Sequence, residues 1–73
     1  MDRTATDQTI KVLLSEIHRR LDDAARIAKA AEACASAGSV AEGVSVSTDI
    51  EQLIYEAGHL QDAASLLNRL ARE

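Results

Sequence analysis

The sequence predicts an all-α protein, an antiparallel helical hairpin of two long helices over about 6–37 and 49–72 that pairs into a dimeric four-helix bundle. Three observations carry this. Apolar residues recur every three or four positions along two long stretches. Alanine is abundant and proline is absent, which favours helix throughout. Between the two stretches, "EACASAGSVAEGVSVSTDIE" (32–51) gathers glycine, serine, threonine and valine and breaks the rhythm. Seventy-three residues amount to one domain, 1–73. So short a chain seldom stabilises itself by its own core alone.

The first helix reads from Ile10, Leu14, Ile17, Leu21, Ala24, Ala28, Ala31 and Ala35, whose spacing alternates four and three as in a heptad seam. Gly38 stands where a helix C-terminus takes a left-handed residue. Ser39 and Glu42 have capping-box spacing, which allows one helical turn before Gly43, and Val40, Val44 and Val46 are expected to fold back over the end of the hairpin. Thr48 and Glu51 form a second capping box, with Asp49 adding negative charge at the start of the second helix. That helix reads from Ile50, Leu53, Ala57, Leu60, Ala64, Leu67 and Ala71. With 38–48 treated as a connection, the seams match when residues whose numbers sum to about 85 lie opposite, large against small in most layers. The exception is Ala28 against Ala57, small on both sides.

The positions flanking the seams divide sharply. One flank holds Leu13, Arg20, Ile27, Cys34, Glu56, Ala63 and Leu70, with Leu66 beside them. The other holds Lys11, His18, Ala25, Glu32, Ile54, Gln61 and Asn68. The first is mainly apolar, and monomers rarely leave such a flank in water. A homodimer is therefore expected to dock through Leu13, Ile27, Cys34, Ala63, Leu66 and Leu70.

Gly58 falls in the middle of the second helix, where glycine costs about 1 kcal/mol relative to alanine. Residues 53–71 resemble the helix-turn-helix of a tetratricopeptide repeat in Ile54, Gly58, Leu60, Ala63, Leu67 and Leu70. The resemblance covers about a quarter of the chain and implies a break at Gly58. The chain departs from that pattern at Glu51 and lacks the closing proline. Its seam passes through Gly58 in phase, which favours an unbroken helix.

Chemistry finds little to build on. Glu56 and His59 have the Glu-x-x-His spacing of di-iron bundles, but the expected register sets Lys29 and Arg26 against them, so no metal is assigned. There is no nucleophile–base pair, no phosphate loop and no carboxylate pair in a pocket, so neither catalysis nor a cofactor is expected. Cys34, the single cysteine, reads as a small buried hydrophobe and fits a cytoplasmic setting. The start "MDRTATDQ" lacks the apolar core of a signal peptide, and no stretch is long and apolar enough for a membrane span. The net charge of −4 lies wholly in residues 38–73, which carry six acids and two bases. That is a poor match for nucleic acid.

The reading is therefore an interaction protein, a dimeric bundle that binds and regulates another protein. Tyr55, the only aromatic residue, points away from the seam with Glu51, His59 and Asp62 around it, and is the expected anchor for a partner. The alternative packs Tyr55 under Val44 or Val46. A subunit of a larger assembly is a second possibility. A third is RNA binding, because the architecture resembles the helical-hairpin dimers of the Rop type, which hold RNA on one bundle face. Arg19, Arg26 and Lys29 would supply the basic strip, interrupted by Asp22 and Asp23.

Overall fold

The computed structural model describes residues 2–72 and is all-helical over them: α1 (Arg3–Ser36), α2 (Val40–Ser47) and α3 (Asp49–Ala71). The helices form a hairpin whose Cα atoms span 54 × 14 × 11 Å. A straight helix the length of α1 measures about 51 Å, so α1 alone sets the long dimension.

α1 starts a turn earlier than its apolar pattern suggests because Asp2 caps it. The Asp2 carboxylate accepts from the Thr4 amide at 3.0 Å, and its carbonyl accepts from the Thr6 amide at 3.0 Å and the Thr6 hydroxyl at 2.8 Å. At the other end Gly38 adopts φ +94°, the only positive φ among the described residues. The Ser39 amide donates to the Cys34 carbonyl at 2.9 Å and the Gly38 amide to the Ala35 carbonyl at 3.0 Å. These are the two bonds of a Schellman motif, and they reverse the chain within three residues.

The segment beyond Gly38 is helix and not loop. α2 runs back along α1, with Gly43 buried against it. An added Cβ at Gly43 would lie 2.7 Å from the Ala31 carbonyl oxygen, so only glycine lets the two backbones come this close. Of the three valines expected to fold over the hairpin end, Val40 and Val44 point outward, each 62% exposed, and Val46 is half-buried. Thr48 has helical angles (φ −63°, ψ −25°) and makes no side-chain cap, so the expected capping box with Glu51 does not form. Its hydroxyl donates to the Ser45 carbonyl at 2.7 Å, and Ser47 does the same to Val44 at 2.7 Å. Such back-bonding competes with the helix ladder, and α2 and α3 follow one another with a single interruption at Thr48.

The tight turn resets the register. The hairpin pivots on Gly38, so facing residues have numbers summing to about 76 rather than 85, as a three-residue turn centred there requires of neighbouring antiparallel helices. Arg20 accordingly reaches Glu56, and Gly43 meets Ala31 and Ala35. The C-terminal turn of α3 is then level with Thr6, which is 6% exposed.

The second seam is as expected, with Ala57 and Ala64 buried and Ile50, Leu53, Leu60, Leu67 and Ala71 half-buried. α1 is rotated from its expected orientation. Its inner line is Thr6, Ile10, Leu13, Ile17, Arg20, Ala24, Ile27, Ala31 and Cys34, all buried or half-buried. Leu14, Leu21, Ala28 and Ala35, expected inside, are exposed. α3 passes through Gly58 without interruption, which removes the break implied by the tetratricopeptide resemblance. Among the described residues no helix is long and apolar enough to cross a membrane.

Candidate interaction surfaces

Three features lie on the surface of this hairpin: a polar clasp between the arms, a tyrosine ridge on α3, and an apolar stripe on α1.

The clasp centres on Arg20, which occupies an inner position of α1 where a seam would carry an apolar residue. Its Nε donates to Glu56 Oε1 on α3 at 3.0 Å, and its Nη1 donates to the Glu16 carboxylate and carbonyl, each at 3.2 Å. Gln52 donates to the other Glu56 oxygen at 3.1 Å, and Arg19 donates to Glu16 at 2.9 Å. Hydrogen bonds from Gln52 and then Arg20 hold the Glu56 carboxyl below its ordinary value. Hydrogen bonds to Glu16 and then Glu56 raise Arg20. The Glu-x-x-His pair is thus divided. Glu56 is held by Arg20 and Gln52, while the His59 ring meets Tyr55 edge-on at 4.4 Å between centroids, with 65° between the planes.

Tyr55 itself is 61% exposed, so no valine of α2 covers it. It borders two shallow grooves. One is lined by Thr48, Glu51 and Gln52, and the other by Arg20, Glu56, His59 and Leu60. Glu51, His59 and Asp62 are exposed around it. Thr48, which the sequence marks as the start of the second helix, lies at the head of the first groove, and no feature of the sequence pattern marks the groove itself.

Of the six residues expected to dock a second hairpin, Leu13, Ile27, Cys34 and Ala63 are half-buried within the chain's own hairpin. Leu66 and Leu70 remain exposed, at 44% and 40%. The rotation of α1 turns a different stripe outward. Leu14 is 54% and Leu21 44% exposed, Ala25 and Ala28 continue the line, and Ile54 (50% exposed) lies on the same flank of α3, level with Leu21. Sequence reasoning assigns these two leucines to the core. The missed signal is that α1 carries two apolar stripes sharing Ile10, Ile17, Ala24 and Ala31, and one hairpin can bury only one of them.

The basic strip is largely neutralised in place. Arg26 pairs with Asp22 at 2.6 Å and with Asp23 at 3.8 Å, and Arg19 pairs with Glu16. No family model, curated protein or solved structure matches this chain, and the functional reading rests on these surfaces.

Proposed function

We propose that this chain is a non-enzymatic interaction protein, a helical hairpin that dimerises into a four-helix bundle and in that form binds and modulates another protein. One observation carries the reading: the hairpin does not bury its own large apolar side chains. The residues at 6% exposure are Ala24, Ala57, Ala64 and Thr6, and among the described residues no large side chain is fully buried. Among the described residues, nine large apolar ones are 40–62% exposed. A fold of this kind gains most of its stability from what docks on it. Arg20, Glu56 and His59 are tied to neighbours in ways that suit positioning rather than catalysis.

The surface left to a partner is the ridge of Tyr55, His59, Glu51 and Asp62, whose acids favour a basic protein surface and repel phosphate. Tyr55→Ala tests it. As an anchor, Tyr55 should cost about 2 kcal/mol or more of partner affinity when truncated. Its exposure means that the melting temperature should stay near wild type. Protein captured from the native host by wild type but not by Tyr55→Ala supports the ridge. Capture that is unchanged in the variant moves the search to the outer face of α1 around Arg19, Asp23 and Arg26. Capture of RNA that weakens steeply with added salt would favour the nucleic-acid reading instead.

A further inference from the structure

The stripe that α1 leaves outside the hairpin is built to meet itself. We propose that the second copy docks on Leu14, Leu21, Ala25, Ala28 and Ile54, with the two α1 helices antiparallel about a twofold axis beside Leu21. This rests on the dimer reading above and adds its face and register.

The area supports such an occupant. The isolated hairpin exposes 5239 Å². A folded monomer of 7.8 kDa is expected to expose about 4400 Å². The excess is close to the roughly 800 Å² that each partner contributes to a standard interface.

The two flanks differ in what they could take. On the opposite flank of α1, Glu16, Arg19, Asp23 and Arg26 form their own ion pairs, and the exposed apolar residues Val12, Leu66 and Leu70 cluster only near the open end. On the stripe, α1 presents Lys11, Leu14, His18, Leu21, Ala25, Ala28 and Glu32 in order, with spacings of three and four. No Asp, Glu, Lys or Arg lies between Lys11 and Glu32 along that line. On this side α3 offers Ile54 among Glu51, Gly58, Gln61, Ser65 and Asn68, so the apolar contact is α1 on α1.

A twofold interface requires that every residue meet its mirror position. Placing the axis beside Leu21 brings Leu21 next to its own copy, Leu14 next to Ala28 of the second copy, and His18 next to Ala25. The same operation brings Lys11 next to Glu32, twice. Size is complementary in the flanking layers and charge at both ends. Within the hairpin neither Lys11 nor Glu32 has an ion-pair partner among the described residues. A foreign helix would not require this stripe to be complementary to itself, and a second copy does.

The test is a pair of charge reversals read by sedimentation equilibrium and circular dichroism. Lys11→Glu sets carboxylate against carboxylate at both ends of the interface, and Glu32→Lys sets ammonium against ammonium. Each variant alone should dimerise roughly tenfold more weakly than wild type. Mixed one to one, they should form a heterodimer that is tighter than either variant's own dimer. One end of it then pairs the two native residues' replacements, and each end again holds opposite charges when the variants are combined in a single chain. The double variant Lys11→Glu/Glu32→Lys should therefore dimerise like wild type. Leu21→Glu should abolish the dimer. If both single variants self-associate like wild type and the double variant gains nothing over them, the face is wrong although the dimer stands. Loss of the dimer in Leu66→Glu with retention in Leu21→Glu also overturns this face and assigns the opposite flank. A wild-type protein that sediments as a folded monomer overturns the dimer reading itself.

Discussion

Three glycines sit in this chain for three different reasons, and alanine substitution separates them. At Gly38 the φ of +94° puts any Cβ into strain although the space around it is empty. Gly38→Ala should therefore cost about 1–2 kcal/mol. At Gly43 the backbone is helical and the difficulty is space, since the new Cβ would press on the Ala31 carbonyl. Gly43→Ala should lose about 1–3 kcal/mol as α2 is pushed off α1. Gly58 is helical and exposed, with nothing within 4 Å of an added Cβ. Gly58→Ala should raise stability by up to about 1 kcal/mol. Thermal melts of the three variants read these signs directly. A loss at Gly58 would mean that a second molecule lies against that position. The stop at Gly38 and the unbroken helix through Gly58 are legible in the sequence, because a helix stop has a local signature and the seam stays in phase; the close backbone approach at Gly43 has no signature.

At the scale of elements, the two arms show what periodicity can and cannot fix. The α3 seam is legible because it has a single apolar stripe. The α1 seam is not, because the line that turns inward contains Thr6 and Arg20, whereas the expected line from Ile10 to Ala35 is purely apolar. What decides is the partner of Arg20. Once Glu56 is opposite, with Glu16 one turn below, the arginine is satisfied at the seam and the leucines can face out. α2 reads as connection because valine, serine and glycine are weak helix formers, and its packing on α1 overrides that preference. The clasp has a pH signature. Glu56 titrates below its ordinary value, so its ionised form favours the fold. That contribution is complete above the unfolded value, near pH 4, and disappears as the pH falls through the lower folded value. Glu56→Gln should melt below wild type at pH 7 and converge with it in acid. Both Arg20 and Glu56 are partly exposed, so salt should narrow the gap at pH 7 as well. Parallel melting curves at every pH would show that the pair does not stabilise the hairpin.

The whole molecule is a rod with a radius of gyration of 16.7 Å, against about 11 Å for a compact domain of this length. A rod one helix thick in its shortest direction has little interior, which is why its buried residues, among those described, are three alanines, a glycine and a threonine. In the proposed dimer, docking two rods side by side doubles the thickness and gives Leu14, Leu21 and Ile54 an interior to occupy. Folding and association then become one equilibrium, and stability must depend on concentration. For a two-state dimer, each tenfold dilution removes about 1.4 kcal/mol of apparent stability. For a domain of this size, 1 kcal/mol moves the melting temperature by roughly 4–8 °C. Melts followed by circular dichroism over a hundredfold range of concentration should therefore fall by on the order of 10 °C or more at the dilute end. Leu21→Glu should already melt low at the concentrated end and show no further dependence, because its hairpin has no second copy to lose. A wild-type melting temperature that stays constant across the whole range would mean that the alanine-lined hairpin is sufficient alone. Its exposed leucines would then have to be explained by the protein partner rather than by a second copy.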